Sequence, residues 1–299
     1  MSVKQRLLSL PPMVQLHLGV MLLGMSGLFA KLIDLPALDI IAYRSFFTAI
    51  LLAFLLKLFK QSIKLRSWYD YKVALVLGVL AAIHWLTYFM SIQMTSVAVG
   101  MIALFTYPVI TVLIEPLFRK QLPQLKDICI SLIVLFGISL LFPGLWDKAP
   151  AMSDDYVLGI VLGIVSALTF ALRNIGIQHY FSGYSGMQGM FYQFSVTAVL
   201  FLPFIGVMPE QITGDDWLLL MICTVFFTAA PHVLFAGSIS KVSAKTASLV
   251  ACLQPLYGTF LGLILLSEVP SMLTLLGGVI VLCAALFETL QSGKKAKGR

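Results

Sequence analysis

Four ionisable residues stand inside long apolar runs of this chain: Lys31, Arg44, Glu115 and Arg173. A charge at membrane depth costs roughly 2.5–3.5 kcal/mol on insertion scales, so each is a candidate for function. Arg44 is the sharpest. Its guanidinium suits two-point binding of a substrate carboxylate, against pairing with Asp34 or Asp39 or snorkelling to the surface. Lys31 reaches the surface more easily. Arg173 and Glu115 fall towards one side of the membrane and could meet as a structural salt bridge or as a gate. Glu115 is otherwise a proton or cation site, and Arg173 a snorkelling side chain. His84 and His232 titrate near neutrality, which a proton-coupled carrier could use, although buried neutral histidine is the commoner case.

Aromatic and amide side chains supply the other half of a binding site. Trp85 and Tyr88, three residues apart, share a helix face. Tyr107, Tyr192, Gln193, Gln254 and Tyr257 also lie well within apolar segments. Rings of this kind stack on an aromatic substrate or hold a cationic head group, and otherwise serve as packing. Pro108, Pro231 and Pro255 break helical hydrogen bonds mid-segment and are candidate hinges. Gly159 and Gly163 have the spacing of close helix contact. The four cysteines (Cys129, Cys223, Cys252, Cys283) show no metal spacing, and no His, Asp or Glu cluster suggests a metal. No nucleophile elbow, zinc-protease motif, paired aspartates or phosphate loop is present, so an intramembrane enzyme is not expected. Nor is there a repeated ring of filter residues to suggest a channel. No cofactor is implied.

The elements that must position these residues follow from composition. Of 299 residues, 60% are hydrophobic and 11% charged. A soluble domain has roughly 45–50% and 25%, which excludes a cytosolic enzyme, a disulfide scaffold and a disordered chain. The net charge of +7 does not make a nucleic-acid surface, because the basic residues are spread through short segments between apolar runs. Those runs are 13–33, 38–58, 72–92, 96–117, 125–143, 157–179, 185–207, 216–238, 246–266 and 271–290, each about the length of a membrane helix. With the N-terminus inside, sixteen of the twenty Lys and Arg fall in cytoplasmic segments and only Lys148 in an outer one. The positive-inside rule therefore predicts ten transmembrane helices with both termini cytoplasmic. No cleavage site follows the first run, so it reads as an uncleaved helix.

The second half slides over the first by 147 residues. Ser91-Ile92 meets Ser238-Ile239, Ser96 meets Ser243, Pro108 meets Pro255, and Gln121-Leu122-Pro123 meets Glu268-Val269-Pro270. Five helices per copy give the two halves opposite orientation. This predicts an all-α polytopic membrane protein of two inverted five-helix repeats, 1–146 and 147–299. Inverted repeats are a signature of secondary transporters, with the substrate site at the repeat interface.

Tyr43-Arg44-Ser45, Thr95-Ser96-Val97-Ala98, Tyr107-Pro108-Val109, Gln254-Pro255-Leu256 and Ser267-Glu268 make the chain resemble the drug/metabolite transporter superfamily, in its ten-helix EamA-type branch. The resemblance covers essentially the whole chain. Gln121 departs from it, standing where such repeats usually carry a Glu. It implies a secondary carrier of small metabolites, often exported, and a recurrent basic residue at the place of Arg44.

The resulting expectation is export by alternating access of an amino acid or related compound, in a bacterial inner membrane. Its partners are the substrate, membrane lipids and protons as coupling ion, and both a monomer and a homodimer are compatible with the sequence. Alternatives are a carrier of cationic choline-like amines or nucleosides, and a flippase of a lipid-linked substrate. Substrate contacts are expected from Arg44, Trp85, Tyr88, Tyr107, Gln254 and Tyr257; gating or proton coupling from His84, Glu115, Arg173 and His232; hinges from Pro108, Pro231 and Pro255.

Overall fold

The computed structural model describes residues 10–95, 97–118, 120–140, 153–239, 241–257 and 272–297, and every regular element among them is helical. Helix α1 (Pro12–Leu23) is followed by a 3-10 turn, Ser26–Leu28, and by the short α2 (Phe29–Leu32). Next come α3 (Ala37–Leu58), α4 (Trp68–Met94), α5 (Val97–Leu104), α6 (Tyr107–Phe118) and α7 (Leu125–Leu140). The second half holds α8 (Asp154–Tyr180), α9 (Gly186–Phe201), α10 (Gly214–Thr224), α11 (Ala230–Ile239), α12 (Ala244–Ala251) and α13 (Met272–Lys297). Ser96 and the 267–270 stretch, used in the sequence comparison, lie outside the described residues, as do 258–266 of the ninth apolar run.

Among the described residues, five helical stretches are long and apolar enough to cross a bilayer: Ala37–Leu58, Trp68–Met94, Val99–Phe118, Asp154–Tyr180 and Gly214–Ile239. Helix is the natural outcome, because in hydrocarbon each backbone N–H and C=O must be satisfied within its own segment. Side-chain oxygens mark the helix starts. Ser67, Ser153, Ser185, Thr213 and Ser243 accept from the backbone N–H three residues on, which satisfies an orphan donor of the first turn. Asp70 completes a capping box on Ser67. The bundle has an apolar exterior around a mostly apolar core that also encloses a few charged and polar side chains. Phe54, Leu75, Val199 and Phe226 are exposed, whereas Arg44, Arg173, His84, His232 and Asn174 are buried. That is the arrangement expected of a chain surrounded by lipid.

Several apolar runs are broken rather than continuous. α5 stops at Leu104 and α6 begins at Tyr107; α12 stops at Ala251, and two turn residues, Cys252 and Leu253, precede Gln254. The breaks sit at the same place under the 147-residue offset. Their cause is local. Pro108 cannot donate to the carbonyl of Leu104, nor Pro255 to that of Ala251, and the ring crowds the preceding turn. The bend therefore falls just before each proline expected to act as a hinge. Pro231 is preceded by a π-helical segment, Val225–Ala229. The seventh run ends as regular helix at Phe201 and gives way to a 3-10 turn at Leu202–Phe204.

Packing joins the halves. α4 lies along α8, and α1 along α11, two pairings that exchange under the repeat; α3 meets α9 and α7 meets α13, each helix against its own counterpart. Gly163 permits the α8 approach: a methyl group there would stand 2.5 Å from the Ala103 side chain and 2.9 Å from Ser91 Oγ. The expected packing role of Gly159 and Gly163 is thus what the structure contains.

Candidate functional site

α3, α4, α8, α9 and α11 converge on the indole of Trp85. Phe194 stacks on it at 4.3 Å with 10° between the planes, and His232 meets it edge-on at 5.4 Å. Arg44 and Arg173 bring their guanidinium carbons to 5.6 and 5.8 Å from the ring centroid. His84 packs between Tyr88 (6.3 Å, 12°) and Phe170 (4.5 Å). Tyr107 is one ring further out, edge-on to Phe170 at 4.8 Å. Trp85, Tyr88, His84 and their neighbours reach this cluster because residues three and four apart share the buried face of α4. On α8 the same rule brings Ser166, Phe170, Arg173 and Asn174 inward.

Arg44 lies two turns into α3, 1% exposed. Its Nε and Nη2 have no hydrogen-bond partner. The side chain rests on Phe89 at 4.9 Å, and the polar groups acting on it are neutral, the Cys223 thiol and the Tyr88 hydroxyl. Asp39 does not pair with it. Its carboxylate accepts from the backbone N–H of Gly206 (2.8 Å) and Val207 (3.0 Å). The backbone N–H of Asp34, in turn, donates to Asp216 at 2.9 Å. The Asp39 carboxylate is thus committed to backbone N–H groups rather than to Arg44.

Arg173 is equally buried and differently held. Its Nε donates to Gln193 Oε1, its Nη1 to Asn174 Oδ1 at 3.4 Å, and its Nη2 meets Met190 Sδ at 3.2 Å. These three partners are neutral, and Glu115 is not among them. Glu115 is buried on α6, and α6 does pack on α8.

Hydrogen bonds fix the tautomers of both histidines. Ser166 Oγ donates to the His84 carbonyl (3.0 Å), so it accepts from His84 Nδ1 at 2.8 Å. His232 Nδ1 donates to the Thr228 carbonyl at 2.8 Å, within the π-helical segment. In each neutral ring Nε2 is then the acceptor. Gln254 and Tyr257 are partly buried, and no ring contact ties Tyr257 to the cluster. Gln254 presents its backbone carbonyl to α1, 2.8 Å from where a Gly24 side chain would begin. Phe89, Phe170, Asn174, Gln193 and Phe194 complete the cluster. Of these only Gln193 stood out in the sequence, since an isolated Phe or Asn carries no depth signal.

Two sets of bonds between the halves close the bundle at its ends. At one, Asp39 holds Gly206 and Val207 and Tyr43 donates to the Val207 carbonyl at 2.7 Å. At the other, Tyr184 donates to Asp70 at 2.7 Å and accepts from the Arg66 N–H at 2.9 Å, while Tyr192 donates to the Ile63 carbonyl at 2.7 Å. A small void of about 10 Å³ runs from Gln193 to Tyr184 and Ser185. A larger apolar groove of about 450 Å³ lies between α5, α7 and α8. Its polar side chains, Thr106 and Ser139, donate to carbonyls of their own segments, so the chemistry is concentrated at Trp85.

An apolar-faced helical bundle with buried cations between its two halves has the features expected of a multi-pass membrane carrier. The profile of the EamA-like transporter family matches residues 11–142 and again 157–290, and the chain belongs to that family. It is 23% identical to the uncharacterized transporter YxxF of Bacillus subtilis, over 95% of this chain and 91% of that one. To the pseudopaline exporter CntI of Pseudomonas aeruginosa it is 25% identical, covering 85% and 87%. A solved crystal structure superimposes with a TM-score of 0.75 over 94% of this chain and 98% of its own, at 13% identity, which supports the fold alone.

Proposed function

We propose that the protein is a secondary carrier that exports a small carboxylate-bearing metabolite, an amino acid or related compound, across a bacterial inner membrane. Ten crossings in two inverted repeats, divided near residue 146, place both termini in the cytoplasm. The observation that carries the reading is Arg44: a guanidinium 1% exposed whose Nε and Nη2 lack partners. Those two nitrogens form one edge of the planar fork and match the two oxygens of a carboxylate. An unpaired buried charge is strongly unfavourable, so an arriving anion relieves a cost that the ligand-free protein bears. The Pseudomonas relative is an exporter by name, which supports the outward direction.

Alternating access then amounts to releasing one closed end at a time. The Asp39–Gly206–Val207 bonds seal the outer side and the Tyr184–Asp70–Arg66 bonds the inner. The helix breaks before Pro108 and Pro255 supply paired bending points. His84 and His232, whose Nε2 atoms accept in the neutral rings, are the proposed proton-coupling groups. The partners in this reading are the substrate, membrane lipids and protons as the coupling ion, in a monomer or a homodimer. The test is uptake of labelled amino and organic acids into proteoliposomes, with and without a pH gradient. Wild-type protein accumulates a carboxylate and Arg44→Ala does not, at equal incorporation. Undiminished transport by that variant removes Arg44 from the site.

A further inference from the structure

The buried orphan atoms of Trp85, of Arg44 and of the two amides that hold Arg173 have a common sign. Besides Arg44 Nε and Nη2 they are Trp85 Nε1, Gln193 Nε2 and Asn174 Nδ2. All are donors. The hydroxyls of Ser45, Thr48, Ser91 and Thr224 are also unpartnered, and can act either way. The parent residues Arg44, Trp85, Asn174 and Gln193 are at most 2% exposed. An orphaned buried donor costs its full desolvation penalty. The arrangement is therefore built for a ligand richer in acceptors than one carboxylate.

The amide orientations are not accidental. Arg173 is donor-only, and its Nε and Nη1 take the oxygens of Gln193 and Asn174. Each amide must then turn its NH₂ away from Arg173. The guanidinium thus acts as a positioning residue, fixing two neutral side chains as donors. Two guanidiniums within 6 Å of one indole, with no carboxylate among the described residues paired to either, also leave the cluster with an excess of positive charge. A lone zwitterion, net neutral, does not balance it, and an amine is repelled.

Resting on the carrier reading above, we infer that the transported compound carries two acidic groups: one on the Nε/Nη2 edge of Arg44, the other on the Gln193 and Asn174 amide N–H groups that Arg173 orients. The aliphatic or aromatic part between them lies along Trp85.

Thermal unfolding of the purified full-length protein tests this with straight-chain dicarboxylates from succinate to suberate, monocarboxylates of matched length, and 1,5-diaminopentane. A ligand of the folded state raises the melting temperature with the logarithm of its concentration over its affinity. The expected result is a dicarboxylate at least about tenfold tighter than its matched monocarboxylate, since a second charge-assisted contact is added. Gln193→Glu keeps an acceptor for Arg173 but replaces the NH₂ with a carboxylate oxygen, and should erase that preference, bringing the dicarboxylate down to its matched monocarboxylate. Asn174→Asp provides the same test from the other amide, should Gln193→Glu not fold. Arg44→Ala should lose both ligand classes. Equal binding of mono- and dicarboxylates, both lost in Arg44→Ala, overturns the second acidic group and leaves the carrier reading standing. A preference that survives both amide variants overturns the placement. No binding by any acid up to about 10 mM, or binding by the diamine alone, overturns the inference and the carboxylate reading together.

Discussion

Arg44 and Arg173 approach one indole from α3 and α8, each essentially without solvent, and their surroundings differ in every other respect. Arg173 gives Nε, Nη1 and Nη2 to Gln193, Asn174 and Met190. Arg44 leaves Nε and Nη2 unpartnered against Phe89 and Trp85. The same residue type, equally buried, has all three nitrogens engaged in one case and an open Nε/Nη2 edge in the other. Burial alone therefore does not identify a binding residue; the unmet donors do. An uncompensated guanidinium inside a bundle persists where function requires it.

The largest effect expected from this contrast is on transport. Arg44→Lys keeps the charge but loses the planar fork, and proteoliposome flux should fall by about 100-fold, as when two charge-assisted bonds are lost. Flux close to wild type would show that charge, not geometry, is what Arg44 supplies. Arg173→Lys should bind carboxylates less severely, by about tenfold, since only the amide orientation is disturbed. Its ratio of dicarboxylate to monocarboxylate affinity should fall, whereas a purely structural role predicts a uniform loss. Trp85→Phe retains a ring for Phe194 and the guanidiniums but removes Nε1, and should weaken binding by about 0.5–1.5 kcal/mol, read by titration calorimetry. Smallest is Tyr184→Phe. It deletes the bonds to Asp70 and the Arg66 N–H at one end of the bundle, worth about 1 kcal/mol. Cysteine-accessibility labelling should show that end open more often, with substrate affinity little changed.

The sequence made much of this legible, because intramembrane charge is a depth signal. Arg44, Arg173, His84, His232, Trp85 and Tyr88 all stood out as apolar-run residues with polar chemistry, and all belong to one cluster, Tyr88 by way of His84. The repeat was legible too, and the matching helix breaks before Pro108 and Pro255 give it a structural counterpart. What could not be read was pairing between helices. Nothing in the order of residues says that Gln193, twenty positions on, supplies the acceptor for Arg173, or that Asp39 prefers two backbone N–H groups across the bundle to Arg44, one turn away. Gln254 and Tyr257 illustrate the converse. They occupy an apolar segment and are partly buried, and the backbone of Gln254 lies close against Gly24.

The most direct test of the difference between the two arginines needs no substrate. Arg44→Met and Arg173→Met should be compared by thermal unfolding of the ligand-free protein in the same detergent. Replacing the vacant guanidinium with an apolar side chain removes an unpaired buried charge and should raise stability by about 1 kcal/mol or more. Replacing the committed one orphans the oxygens of Gln193 and Asn174 and should lower it by about 1–3 kcal/mol. Opposite signs are the predicted result. A comparable loss in both variants would contradict it, because Arg44 would then be a structural residue like Arg173.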